Sequence, residues 1–247
     1  DAVARLDRVI PYIDMPIQHI DDTMLRRMGR RLGEDGTRDL FNRMRERVPE
    51  LVLRTTFIVG FPGETREQFE KLVHFVEENK LERVGVFPWS PEEGTPAEKL
   101  PGRIDEDEVQ ARIEELMLAQ QQVAFAWNRS RIGSEVDVLI DEICPESAST
   151  LGRSYAEAPE IDSIIRLPKG VAGVGEMVRC TITETDDYDL VATQQSSPVQ
   201  VLAPLMAQAH DVGLHVVLAR RSGGASRALY EPLLQSLRDL AMPGLLL

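Results

Sequence analysis

Two cysteines, Cys144 and Cys180, are all that the 247 residues contain. They stand 36 positions apart, which matches no metal-knuckle spacing, and isolated thiols of this kind are ordinarily buried, reduced and structural. An iron–sulfur cluster held by three closely spaced cysteines is beyond these residues. Long apolar runs are missing as well. No stretch approaches the ~18 uninterrupted apolar residues of a membrane span, and the opening is neither basic nor apolar as a secretory leader would be. The expectation is a soluble cytoplasmic protein whose start, at Asp1 rather than a methionine, is cut from something longer. Positive charge is in deficit: 28 basic residues against 41 acidic give a net charge of −13. Such a surface repels phosphate backbones and attracts basic proteins, which speaks against a nucleic-acid substrate. A hydrophobic content of 43% excludes global disorder.

The most informative stretch present is Arg54-Thr-Thr-Phe-Ile-Val-Gly-Phe-Pro-Gly-Glu-Thr65. An apolar β-branched run meets a Gly-Phe-Pro-Gly turn. Thr65 and Gln68 then form a capping-box pattern ahead of an amphipathic helix bearing Phe69, Leu72, Val73 and Val76. The reading is a buried strand, a tight turn and a helix. In α/β folds that junction lies at the carboxyl end of a strand, where ligands bind. By itself it equally suits a βα turn that binds nothing.

Around it, residues 1 to about 126 alternate strands and helices, predicting a parallel sheet with right-handed crossovers. Strands are expected at Val9–Ile13, Leu51–Val59 and Val84–Phe87. Helices are expected from Asp21 or Asp22 to Met28, from Gly36 or Thr37 to Pro49, over Glu67–Asn79, and over Asp105–Phe125 with Val109, Ile113, Leu116 and Leu118 apolar. Residues 127–192 change character: Gly133–Ile140 and Val178–Thr183 alternate between punctuating glycines and prolines, the pattern of a small antiparallel barrel. This segment carries 13 acidic and 6 basic residues, a poor surface for RNA.

Tyr12-Ile-Asp-Met-Pro-Ile-Gln-His19, the Gly60 turn and Val84-Gly-Val-Phe-Pro-Trp-Ser-Pro-Glu-Glu-Gly-Thr-Pro96 resemble successive strand ends in the second half of a radical S-adenosylmethionine (SAM) barrel. More narrowly, residues 1–190 resemble the methylthiotransferases. The Asp-Met-Pro-Ile-Gln-His wording favours the RimO group, which thiomethylates an aspartate of a small-subunit ribosomal protein, over the tRNA-modifying MiaB group. Residues 127–192 resemble the TRAM domain that ends these enzymes. The resemblance implies an α/β fold with a partial (β/α) barrel at 1–126 and an OB-like barrel at 127–192. It also implies SAM and two four-iron four-sulfur clusters in the intact enzyme, with no metal ligand in this chain and none of the catalytic residues identifiable. The implied partner is a basic small-subunit ribosomal protein, with no nucleic acid or membrane expected; the alternative is a tRNA-modifying enzyme of the MiaB group that binds RNA through TRAM. Residues 193–247, from Asp211-Val-Gly-Leu-His onward especially, resemble instead the FtsK/SpoIIIE-like EccC ATPase of type VII secretion. The two resemblances overlap at Asp186-Asp-Tyr-Asp-Leu-Val191, which predicts a fusion. No Gly-rich loop ending in Lys-Ser/Thr accompanies the tail, so it is not expected to hydrolyse nucleotide.

Within this frame the cofactor-binding candidates are Gln18 as a hydrogen-bond partner, Phe57, Ile58, Val59 and Gly60 through backbone groups and apolar packing, and Phe87 and Trp89 against the other face of an adenine. Arg54 can hold a carboxylate bidentately, or equally form an ion pair with Asp14 or Glu50. His19 is a weaker candidate that could instead cap a helix. Glu64 is accounted for by the helix macrodipole, and Arg26, Arg27, Arg30 and Arg31 either steer an anionic group or, the stronger reading, line a solvated helix face.

Overall fold

The structure is a computed structural model, and it describes residues 2–6, 8–145 and 149–195. The EccC-like tail expected from 193 onward lies outside them apart from its first three residues. A short helix α1 (Ala2–Arg5) leads into strand β1 (Tyr12–Asp14), helices α2 (Asp22–Arg27) and α3 (Glu34–Arg47), strand β2 (Val52–Val59), helix α4 (Arg66–Glu78) and strand β3 (Arg83–Pro88). A long helix, α5 (Glu106–Ser130), follows. The three strands form a parallel sheet in the order β1-β2-β3. α4 starts where its sequence dictates: the Thr65 side chain accepts from Gln68 N while Thr65 N donates to the Gln68 side chain, so two otherwise orphaned helix-start donors are satisfied. α5 runs five residues beyond the expected end at Phe125, and Leu118 lies on its exposed face while Leu116 is buried.

The sheet is two-faced. Leu53, Phe57 and Val59 point to the helices and are at most 1% exposed, packing with Phe41, Phe69, Leu72, Phe75 and Val76. Each fully buried side chain of this size contributes about 1.5–3 kcal/mol of hydrophobic stabilisation. Arg54, Thr56 and Ile58 alternate onto the opposite, inner face of the sheet, away from these helices, and are only half-buried. Phe87, the register partner of Ile58, is 55% exposed there.

Strands β4 (Glu135–Cys144), β5 (Ser149–Arg153), β6 (Ile165–Pro168), β7 (Met177–Asp186) and β8 (Asp189–Gln194) close into a barrel in the order β4-β5-β6-β8-β7. Its core is Val136, Val138, Ile140, Ile165, Leu167, Cys180, Ile182 and Leu190. Closure removes the exposed edges an open sheet of this size would present. Asp186 to Val191, the stretch common to both resemblances, forms the tight β7–β8 hairpin, with Asp187 at φ 53° in the turn.

One buried joint ties barrel to sheet. The Glu157 carboxylate accepts from Arg83 Nη2 (3.1 Å), Arg131 Nη1 (2.5 Å), and Ser154 N and Oγ (3.0 and 2.6 Å). Trp127 contacts both guanidiniums, 5.1 Å from Arg83 and 4.6 Å from Arg131. Burial alone would push the Glu157 carboxyl up. The Arg131 charge, with the Arg131 and Ser154 hydrogen bonds, overcomes this and holds it below the ordinary glutamate value. Among the described residues no helix is long and apolar enough to cross a membrane.

Candidate functional site

At the carboxyl ends of the parallel strands, three loops are stitched together. After β1 the chain stays beside β2: Met15 N donates to Arg54 O, Gln18 N to Thr56 O, and Ile58 N to Gln18 O, each at 2.9 Å. The Thr55 hydroxyl, fully buried, donates to Met15 O (2.9 Å) and accepts from Ile17 N (3.2 Å). These bonds hold Gln18 at φ 74°, a left-handed conformation that costs a non-glycine residue on the order of 1–3 kcal/mol. The Gln18 Oε1 is buried without a hydrogen-bond partner. A strained backbone and an orphaned acceptor thus coincide on one residue at a strand end.

After β2 the turn is built on glycine. Gly60 has φ +80°, and a Cβ there would lie 2.5 Å from Val109 Cγ2 of α5. The turn is clamped by Glu64, whose side chain is sealed from solvent. Its carboxylate accepts from Gly60 N (2.9 Å), His19 Nε2 (3.0 Å) and Arg112 Nη1 (2.8 Å). Asp21 N donates to His19 Nδ1 at 3.0 Å, so the imidazole proton sits on Nε2, pointing at Glu64. Three chain segments thus converge on one carboxylate: the loop after β1, the turn after β2 and helix α5. After β3, Trp89 N donates to Val59 O (2.8 Å), and the Trp89 ring meets Phe61 edge-on at 6.1 Å.

The sequence-predicted residues divide accordingly. Gln18, Gly60 and Trp89 each lie at a strand end, Gln18 bonded to β2 at Ile58 and Trp89 at Val59. Ile58 and Phe87 sit side by side on the open inner face. Phe57 and Val59 turn their side chains into the helix-side core, leaving only backbone groups for a ligand. Arg54 lies lower on the inner face: its Nη1 donates to Asp14 Oδ2 at 2.7 Å, and its Nε is 3.9 Å from Asp162 Oδ1. Asp162 also accepts from the Tyr12 hydroxyl at 2.6 Å, and burial together with that bond pushes the phenol well above its ordinary value. Of the two ion-pair partners read from the sequence, Asp14 is the one that Arg54 meets. Arg112 went unnoticed in the sequence because its partner lies 48 residues away. A cleft of about 330 Å³ lies elsewhere, between β3, α5 and the 161–163 loop. The buried Arg83 beside it already serves the Glu157 joint.

The cysteines do not fit an iron–sulfur cluster. Cys180 is in the barrel core, its thiol pushed up to about 11 by burial and Asp137, and Cys144 ends β4. Among the described residues no three His, Cys, Asp or Glu side chains are grouped to hold a metal ion. The strand-end site does fit SAM. It offers an unsatisfied acceptor in Gln18, a close-approach backbone at Gly60 and an apolar platform in Ile58 and Phe87.

Comparison with known proteins adds the deciding observation. Residues 1–76 match the Radical SAM superfamily and residues 132–194 match the TRAM domain. The ribosomal protein uS12 methylthiotransferase RimO of Syntrophotalea carbinolica is 48% identical over 192 residues, covering 77% of this chain and 42% of that protein. The chain carries a RimO-like segment. The RimO of Geobacter sulfurreducens is 46% identical over 185 residues (74% of this chain, 41% of that protein), and that of an Anaeromyxobacter species 41% over 211 residues (85% and 45%). The chain therefore spans less than half the length of these curated relatives. Among solved structures, the radical SAM enzyme coproporphyrinogen III oxidase (HemN) of Escherichia coli aligns with a TM-score of 0.42 at 14% identity, covering 79% of this chain and 48% of that one. That likeness is too loose to carry an argument. The RimO-like segment stands on the sequence matches, and its α/β architecture on the parallel sheet and closed barrel.

Proposed function

We propose that the RimO-like segment is the SAM-facing and substrate-docking part of a ribosomal protein aspartate methylthiotransferase acting in the cytoplasm. The supporting observation is the identity of up to 48% that runs through both the sheet and the barrel to relatives named for uS12. In this reading residues 1–126 are the later part of a radical SAM barrel, residues 127–192 the TRAM domain, and residues 193–247 an EccC-like fragment joined by fusion.

SAM would be held by Gln18, the backbone of Phe57, Val59 and Gly60, and the Ile58, Phe87 and Trp89 side chains. It supplies the radical and methyl chemistry of the family. Gln18 Oε1 accepts a hydrogen bond from the ligand, which orients it. Ile58 and Phe87 exclude water from one of its faces. Glu64, with His19 and Arg112, keeps Gly60 in register with Gln18. Arg54, neutralised by Asp14, forms a rigid floor under the platform rather than a free carboxylate receptor. Cluster ligands would have to come from outside these residues.

The barrel favours a basic protein over RNA. Arg131, Arg153, Arg166 and Arg179 are each engaged by carboxylates of the same segment, leaving little free positive charge. Its tyrosines, Tyr155 and Tyr188, are half-buried, and Tyr188 packs on Phe125 of α5 at 5.1 Å rather than offering a base-stacking platform. The test is a titration of the chain with isolated uS12 and with tRNA at matched salt. Preferential, salt-weakened binding of uS12 is expected, since exposed charges are screened over about 8–10 Å at ordinary ionic strength. Tighter binding of tRNA would favour the MiaB-type alternative.

A further inference from the structure

In a chain with far more acidic than basic residues, most guanidiniums find a carboxylate. Arg27, at the end of α2, does not: it has no hydrogen-bond or ion-pair partner among the described residues, and it is exposed. Its position is nonetheless defined. The guanidinium carbon lies 5.8 Å from the centre of the Phe61 ring, and the side chain rests against Gly63, where a Cβ would come within 2.6 Å of Nη1. Phe61 meets Trp89, and Arg103 lies over Trp89 at 5.6 Å. Arg103 gives one hydrogen bond, to the Glu98 carbonyl at 3.2 Å, and pairs with no carboxylate among the described residues. Gly63 N donates to Gly102 O at 2.7 Å, locking together the two loops that carry this row. The result is a sequence of Arg27, Phe61, Trp89 and Arg103 along the rim of the strand-end site, with an unpaired cation at each end. An aromatic face beside a guanidinium limits its rotamers, so less entropy is lost when its planar fork meets a carboxylate.

We propose that Arg27, seated on Phe61 and Gly63, is a carboxylate-binding residue of the substrate site, with Arg103 as the second cation of the rim. Resting on the ribosomal protein reading above, the carboxylate is the side chain of the target aspartate, presented in a segment whose basic flanks suit the acidic barrel. A planar bidentate donor positions such a residue, and it discriminates against an asparagine of the same shape, which carries no charge and can accept only at one atom.

The experiment uses the whole chain and two labelled synthetic peptides, each with basic flanks around one central residue, aspartate in the first and asparagine in the second. Binding is read by fluorescence anisotropy at matched ionic strength. The aspartate peptide should bind about ten-fold more tightly, as loss of a charge-assisted bidentate contact implies. Arg27→Gln should weaken the aspartate peptide by that factor and leave the asparagine peptide unchanged, while Arg27→Lys should recover part of the loss. Arg27 is exposed, so melting curves of both variants should match the parent. Equal binding of the two peptides by the parent chain overturns the carboxylate role of Arg27 and leaves the ribosomal protein reading in place. Binding of neither peptide removes both. Competition by SAM that is lost with decarboxylated SAM, and lost again in Arg27→Gln, would give the residue to the cofactor carboxylate and overturn the substrate assignment.

Discussion

Glu64 accepts the Nε2 hydrogen of His19 at 3.0 Å, and neither side chain is exposed to solvent. This contact joins the loop after β1 to the turn after β2. Through the 2.8 Å bond from Arg112 to the same carboxylate it also reaches α5. Removing one partner of such a buried set leaves the others uncompensated. Glu64→Gln should therefore cost about 3 kcal/mol in urea unfolding at neutral pH. A cost below about 1 kcal/mol would mean that the clamp is not what holds the turn.

Gln18 should behave in the opposite way. It holds a left-handed conformation and buries an unsatisfied oxygen. Gln18→Gly relieves both, against an entropic cost of about 0.5–1 kcal/mol for glycine in the unfolded chain. The substitution should leave the melting temperature unchanged or raise it while weakening SAM binding. A clear loss of stability would show that Gln18 serves the fold and not a ligand.

Gly60→Ala places a methyl group 2.5 Å from Val109 Cγ2 at a φ of +80°. The expected destabilisation is about 1–3 kcal/mol. Adding Val109→Ala should recover the steric part and leave the conformational part. Full recovery in the double variant would show that backbone strain contributes nothing there.

Glu157 makes the sheet–barrel joint pH-sensitive. Its carboxyl is held below the ordinary glutamate value of 4.5 in the folded chain. A depressed folded pKa gives stability that is fully present above the unfolded value and lost as the pH falls through the folded one. Unfolding free energy should accordingly drop on going from pH 6 toward and below about 4, more steeply in the parent than in Glu157→Gln. Identical slopes in the two proteins would remove the joint from the acid response.

The sheet and the strand-end loops were legible because their signals are local. Alternation from Leu53 to Val59, the Thr65–Gln68 box and the glycines of the turn each act within a few residues. The Glu64 clamp and the Glu157 joint were not legible, since their charged partners are brought together over 26 to 74 residues and a lone Glu at a helix start has a sufficient local explanation. Side-chain direction was also hidden. Phe57 and Ile58 read alike as apolar strand residues, yet period-two alternation sends one into the core and the other onto the open face. Whether Arg54 pairs with Asp14 or Glu50 turned on register, which places it across from Asp14.

The central claim is that residues 1–194 can act as the RimO-like part of a ribosomal protein methylthiotransferase. The most direct measurement joins them to the preceding part of the Syntrophotalea carbinolica relative, reconstitutes iron and sulfide, and follows uS12 by mass spectrometry with tRNA present as a competitor. A methylthio group on a uS12 aspartate, lost on Gln18→Ala, is the predicted result. A chimera that cleaves SAM yet leaves uS12 unmodified, or that modifies tRNA instead, would contradict it.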